Sequence, residues 1–174
     1  MPPVERDSAW ITPKTWNTGD LLTATDLNEQ IKTNMNDLKA PPGGYYRMDD
    51  SADWTTTSTS FVDVDATDLS TTFDCSGAGD LYVFFIGTVS GGTRIYFDVA
   101  LDGTRQGLDD GIFGMETSAN GRPASFFYKI PTPSAGSHTV KLQWKIASGT
   151  GTLYAGAGTA SYDVHGMFEV REIG

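Results

Sequence analysis

Leu81-Tyr82-Val83-Phe84-Phe85-Ile86-Gly87-Thr88-Val89, followed by Ile95-Tyr96-Phe97-Asp98-Val99-Ala100-Leu101 and then Asp102-Gly103, decides the class of fold. The first run is apolar on both faces, with Leu81, Val83, Phe85 and Val89 on one and Tyr82, Phe84 and Ile86 on the other, as suits a strand covered on both sides. The second alternates, Ile95, Phe97, Val99 and Leu101 against Tyr96, Asp98, Ala100 and Asp102, and predicts a strand with one dry face. Asp102-Gly103 then offers the positive-φ turn of a hairpin.

The same alternation returns in Phe126, Tyr128 and Ile130, in Val140, Leu142, Trp144 and Ile146 with Lys141, Gln143 and Lys145 outside, and in Val164, Phe168 and Val170. Phe61 to Val64, Leu69 to Phe73 and Leu153 to Ala157 add further short strands. They are split by Gly/Ser/Thr/Pro turns and no crossover helix intervenes, which predicts an all-β fold, an antiparallel β-sandwich of the jelly-roll kind. Tyr82, Phe84, Ile86 and Phe127 fall on outer faces, and a monomer of this size would expose too much apolar surface there. They are therefore expected to form an oligomer interface, symmetric oligomerisation being the economical answer, and a homotrimer is the expected assembly.

Upstream of these strands the composition changes. Of 20 glycines only Gly19 precedes position 43, and Pro41-Pro42-Gly43-Gly44 cannot continue a helix and reads as a linker. Two parts are expected: residues 1–44, an extended arm, a docking helix and a linker, and residues 45–174, a β-sandwich head. In the first part Thr23 and Asp26 form a capping-box pattern, so a helix starts near Ala24 and ends before Pro41 at about 16 residues or ~24 Å. Leu27, Ile31, Asn34, Met35 and Leu38 recur on one face of it. Positions 27, 31, 34 and 38 fit a coiled-coil seam with Asn34 as its polar core residue, and they equally fit a helix packed on its own domain. So short a helix needs a partner surface either way.

Charge narrows the partners. The 174 residues carry 22 Asp+Glu against 12 Lys+Arg, a net charge of −10, which repels phosphate backbones and anionic lipid; no nucleic-acid or membrane partner is expected. The longest apolar run, Leu81 to Ile86, is far too short to span a bilayer, and the first residues lack a basic start followed by an apolar stretch, so a soluble chain without a secretory signal is expected. The lone Cys75 excludes an intrachain disulfide framework.

Little in the sequence points to chemistry. His138 and His165 sit in different elements, and there is neither a Gly-x-Ser-x-Gly elbow nor a phosphate-binding loop. The acidic pairs Asp49-Asp50, Asp63/Asp65 and Asp109-Asp110 read as solvated loop or outer-face residues rather than a glycosidase pair. Asp98, Asp102, Asp109 and Asp110 lack the regular ligand alternation of a calcium loop. Cys75 has no basic neighbour to activate its thiol and reads as a packing residue. No catalytic residue, no metal and no cofactor is expected.

Residues 15–34, Thr-Trp-Asn-Thr-Gly-Asp-Leu-Leu-Thr-Ala-Thr-Asp-Leu-Asn-Glu-Gln-Ile-Lys-Thr-Asn, resemble a segment recurrent near the N-termini of tailed-bacteriophage and prophage virion proteins. Residues 134–145 and 153–160 are similar to the β-sandwich heads that follow such segments, trimeric jelly rolls of the tumour-necrosis-factor-like kind. The resemblance implies a virion structural protein, assembled in the host cytoplasm. Its N-terminal segment, with Trp10, Trp16, Leu21, Leu22, Leu27, Ile31, Asn34 and Leu38, would dock on a capsid or tail protein while the head projects as a decoration or fibre component. No family active-site residues come with it. A receptor-binding head that grips a host surface glycan through loop aromatics is the competing expectation; a secreted adhesin is disfavoured by the missing signal.

Overall fold

The computed structural model describes residues 14–35, 41–49, 52–117, 120–158 and 164–174. Trp10 and Leu38 lie outside the described residues. The strands are β1 (Gly43–Arg47), β2 (Trp54–Thr56), β3 (Val62–Asp63), β4 (Ser70–Cys75), β5 (Asp80–Ser90) and β6 (Arg94–Leu101), then β7 (Thr104–Arg105), β8 (Phe113–Glu116), β9 (Arg122–Ile130), β10 (Gly136–Ile146), β11 (Gly151–Tyr154) and β12 (Met167–Ile173). All pair antiparallel, in two sheets.

In the first sheet β5 is central. β9 pairs one edge of it, while β12 and β11 lie end to end along the other, with β1 and β2 outside them. In the second sheet β10 and β6 are central. β4 and β3 share the free edge of β10, and β7 and β8 share that of β6. Taking each end-to-end pair as one run gives eight runs, ordered 1-8-3-6 in one sheet and 2-7-4-5 in the other. Every connection but the one from run 4 to run 5 crosses between sheets, the jelly-roll connectivity that the strand spacing predicts.

The inward residues of each run fill the space between sheets. Leu81, Val83, Phe85 and Val89 meet Ile95, Phe97 and Val99, closed by Phe126, Leu142, Trp144, Phe168 and Val170, all buried. Phe97 packs its ring 4.9 Å from Phe85 and 6.4 Å from Trp144, centroid to centroid, so aromatic contacts between the sheets add to the burial of area.

Three local expectations change. Gly43 and Gly44 belong to the sheet rather than to a linker: they pair with Arg171 and Val170. A side chain on Gly43 would lie 2.0 Å from the Val170 carbonyl oxygen, and one on Gly44 would lie 1.9 Å from Thr71 Oγ1. These glycines serve close packing, and the head begins at Gly43. Next, β6 is dry on both faces, since Asp98 and Ala100 are as buried as Phe97 and Val99. The hairpin after it, turning at Asp102 (φ 49°) and Gly103 (φ 79°), folds residues 105–112 back over that face. Finally, Val164 is exposed outside β12.

The helix also departs from its periodicity. Thr23 and Asp26 form the full capping box, but the α-helical turn Ala24–Leu27 continues as a π-helix over Asn28–Thr33. Its wider turn shifts the register, so the 27-31-34 seam is not maintained: Leu27, Ile31 and Met35 face solvent while Asn34 is buried. Among the described residues no helix is long and apolar enough to cross a membrane.

Candidate functional site

The two outer faces of the sandwich differ in chemistry. On the second sheet three cations have acidic partners at hand. Lys141 Nζ donates to Asp63 at 2.8 Å, Lys145 Nζ to Asp110 at 3.0 Å, and Arg105 Nε to the buried Asp98 at 2.7 Å. Burial opposes the charge of Asp63, but hydrogen bonds from Gln143 and Lys141 outweigh it and hold the carboxyl below its ordinary range. The Arg105 guanidinium lies 3.9 Å from the Phe61 ring centroid, and Lys145 sits 4.9 Å from both Phe61 and Tyr96, so cations and aromatic rings interleave across this face.

The first sheet's outer face is apolar at its centre. The register places Tyr45, Glu169, Phe84 and Phe127 in one cross-strand row, Arg47, Met167, Ile86 and Ser125 in the next, and Arg171, Tyr82 and Lys129 on the other side. Phe84, Ile86, Tyr45 and Phe127 are exposed, Phe127 at 62%, and Tyr82 stacks on Phe127 with ring centroids 5.4 Å apart. The four residues expected to lie outward, Tyr82, Phe84, Ile86 and Phe127, are thus brought together on adjacent strands. Sequence reasoning missed Tyr45 and Met167. The alternation Tyr45, Arg47 against Tyr46, Met48 was available, but reading Gly43-Gly44 as a linker hid it.

Three ion pairs rim this face: Arg47 with Asp49 at 2.6 Å, Arg171 with Glu169 at 2.7 Å, and Lys129 with Asp80. The Arg47 guanidinium holds the Asp49 carboxyl below its usual range, and Lys129 does the same for Asp80. On a chain of net charge −10, a face with balanced rim charges is one where two copies can meet without strong repulsion.

A second apolar surface lies on the N-terminal segment. Lys14 Nζ bridges to Asp26 at 2.8 Å, its backbone N–H donates to Gln30 Oε1 at 2.6 Å, and its ammonium lies 4.4 Å from the Trp16 ring centroid. Lys14 and Thr23 together pull the Asp26 carboxyl down to about 2. The chain before the helix is thereby folded back along it, and an open cleft of about 400 Å3 forms between Trp16, Leu22, Asp26, Leu27, Gln30 and Ile31. Of the residues expected to dock, Trp16, Leu22, Leu27 and Ile31 line this cleft. Leu21 is exposed outside its lining, and Asn34 is buried elsewhere on the helix.

The remaining polar candidates are absorbed by the fold. His138 is held by Asp102 at Nδ1 (2.6 Å) and by the Ser134 carbonyl at Nε2 (2.9 Å), and the hydrogen bond to Asp102 raises its pKa. His165 Nδ1 contacts the Met48 carbonyl oxygen. Asp98 accepts from the backbone of Val99 and Gly107 as well as from Arg105, and Asp102 accepts from Thr139 N–H. These carboxylates order the 102–112 segment with protein donors. Among the described residues no three His, Cys, Asp or Glu side chains gather as a metal site. Burial, reinforced by the charge of Glu172, pushes the Cys75 thiol up to about 12, an unreactive packing group. Trp144 is fully buried and Trp54 packs against the core, so the head's two tryptophans serve packing rather than sugar stacking.

No protein family and no curated protein sequence matches the chain. Among solved structures it is similar to dimeric latent PorU from Porphyromonas gingivalis, at 11% identity and a TM-score of 0.36, over 76% of this chain and 13% of that one. It is similar to the infectious bursal disease virus VP2 subviral particle at 12% identity and a TM-score of 0.34, over 76% of this chain and 38% of that one. The structure of the Gx strain of the same virus gives 12% identity and a TM-score of 0.38, over 78% of this chain and 37% of its own. In each case the chain spans well under half of the protein it matches.

Proposed function

We propose that this protein is a virion structural component, a capsid decoration or fibre subunit. Its N-terminal segment docks on another virion protein, and its jelly-roll head assembles as a homotrimer with Tyr82, Phe84, Ile86 and Phe127 between copies. The observation that carries the reading is the N-terminal cleft. A capping box, the Lys14–Asp26 bridge and the Lys14–Gln30 hydrogen bond organise a small unit that still leaves Trp16, Leu22, Leu27 and Ile31 in solvent. A segment that spends its polar bonds on shaping an apolar cleft has its partner elsewhere. The likeness of residues 15–34 to virion N-termini supports another virion protein as the class of partner.

Deleting residues 1–40 tests this. The head should keep its cooperative melt, because β1 begins at Gly43, while incorporation into particles is lost. Retained incorporation would refute the docking assignment. Copy number then separates the two placements, hundreds per particle for decoration of the capsid and a handful for a fibre.

A further inference from the structure

The cleft on the N-terminal segment has apolar walls and donors without acceptors. Lys14 uses the acceptors itself: its ammonium takes one Asp26 oxygen and its backbone N–H takes Gln30 Oε1, while Thr23 takes the other Asp26 oxygen. Both line the cleft, and the half-buried Gln30 carboxamide and the Trp16 indole keep their N–H groups without an acceptor among the described residues. Solvent satisfies such donors while the cleft stands open. An apolar side chain seated between Trp16, Leu22, Leu27 and Ile31 displaces that solvent, and a donor cut off without a partner costs binding energy. A fitting occupant therefore brings acceptors along with its apolar surface.

Two features decide what backbone brings them. Carbonyls inside a helix are spent on its own amides, whereas an extended chain presents its carbonyls alongside its side chains. A partner helix also needs a seam of 3.5-residue spacing, which the π-helical stretch Asn28–Thr33 removes. Leu27, Ile31 and Met35, four residues apart, are exposed, while Asn34 is buried.

Charge decides what flanks the apolar side chain. Three carboxylates act on the one Lys14 ammonium: the Asp26 hydrogen bond raises its pKa first, and the charges of Asp20 and Glu29 raise it further. Asp26 is paired with Lys14, but neither Asp20 nor Glu29 forms an ion pair among the described residues. The rim of the cleft thus keeps a negative surplus, which favours a basic neighbour.

We infer that the cleft takes an extended segment of another virion protein. One apolar side chain of that segment sits between Trp16, Leu22, Leu27 and Ile31, its backbone carbonyls accept from Trp16 and Gln30, and a lysine or arginine beside it faces Asp20 and Glu29. The inference rests on the docking role proposed above and names the chemistry of what docks.

Peptide titration of the full-length chain, followed by NMR, tests it. The probes are a blocked Ser-Lys-Leu-Lys-Ser, too short to form a helix, its Ser-Glu-Leu-Glu-Ser counterpart, and an amphipathic helical peptide of the same net charge as the first with leucines at heptad spacing. The lysine pentapeptide should shift the Trp16 indole and Gln30 carboxamide resonances saturably, with a Kd on the order of 1 mM. Trp16→Phe keeps a ring but loses the N–H, and should weaken this binding roughly fivefold. Tighter binding of the helical peptide, equal binding of the glutamate pentapeptide, or unmoved Trp16 and Gln30 resonances would each overturn the inference. Leu22→Asp and Ile31→Asp, both at exposed sites, should separately abolish incorporation into particles. Lost incorporation with unmoved resonances would overturn the inference and leave the docking role standing; normal incorporation of both variants would overturn the two together.

Discussion

Replacing Asp98 by alanine removes the group on which the whole 102–112 segment hangs. Asp98 is wholly buried, and its two oxygens accept three hydrogen bonds, from Val99 N at 2.7 Å, Gly107 N at 2.8 Å and Arg105 Nε at 2.7 Å. A neutral hydrogen bond is worth about 1 kcal/mol and one to a charged group about 2, while removing one partner of a buried ion pair costs roughly 3–5 kcal/mol in all. Arg105 is about one-third exposed on its side chain, so water replaces part of what it loses, and the lower end, about 3 kcal/mol, is the expected cost. For a domain of this size that lowers the melting temperature by roughly 6–12 °C. Asp98→Asn keeps an oxygen for the two backbone donors but turns an amide N–H toward Arg105, so its loss is smaller, about 2 kcal/mol. Urea titration of the two variants and of Arg105→Met, closed as a double-mutant cycle, should return a coupling above about 1 kcal/mol. Hydrogen exchange should show the Gly107 amide opening first. An Asp98→Ala variant within about 1 kcal/mol of wild type would refute the account of the segment as hung from this carboxylate.

Two further outcomes follow from the same structure. Gly43→Ala places a methyl group 2.0 Å from the Val170 carbonyl oxygen and should destabilise the head by roughly 1–3 kcal/mol in urea titration, whereas a linker glycine would accept alanine without change. His138 has its pKa raised by Asp102, so its share of stability is complete below the unfolded value near 6.5 and is lost as pH rises through the folded one. Melting temperature should fall across that window in the wild type, and His138→Gln should remove this part of the slope; an unchanged slope would dismiss the pair as a stabilising contact.

The legible part of the fold was carried by side-chain alternation. β9 and β10 alternate over nine or more residues, β5 stands out instead as a run apolar on both faces, and the hairpin turn at Asp102-Gly103 is written in two residues whose φ is positive in the structure. What stayed illegible has local causes. β1 begins on two glycines, which look like a flexible joint in sequence and are a close contact with β12 and Thr71 in space. The π-helical stretch Asn28–Thr33 breaks a 4-3-4 spacing that in one dimension reads as a coiled-coil seam. Trp10 and Leu38 lie outside the described residues, so the segment proposed to dock is described only from Lys14 to Met35.

Alternation says which residues share a face of a sheet, but not whether that face is covered, and the candidate interface turns on this distinction. Asp98 and Phe84 both occupy outward positions, on runs that follow one another in sequence and lie in opposite sheets. By residue type Asp98 belongs in water and Phe84 does not, yet Asp98 is fully buried and Phe84 is exposed. The inversion has one cause on each side. Asp98 recruits Gly107 and Arg105 and so draws the following loop over β6, while Phe84 lies between β12 and β9, whose own outward residues Glu169 and Phe127 provide neighbours but no lid. A covered polar group with its bonds satisfied is finished. An uncovered aromatic row is not: its rim charges balance within an otherwise acidic chain, so the proposed homotrimer would bring together faces that are locally neutral although each copy is acidic as a whole.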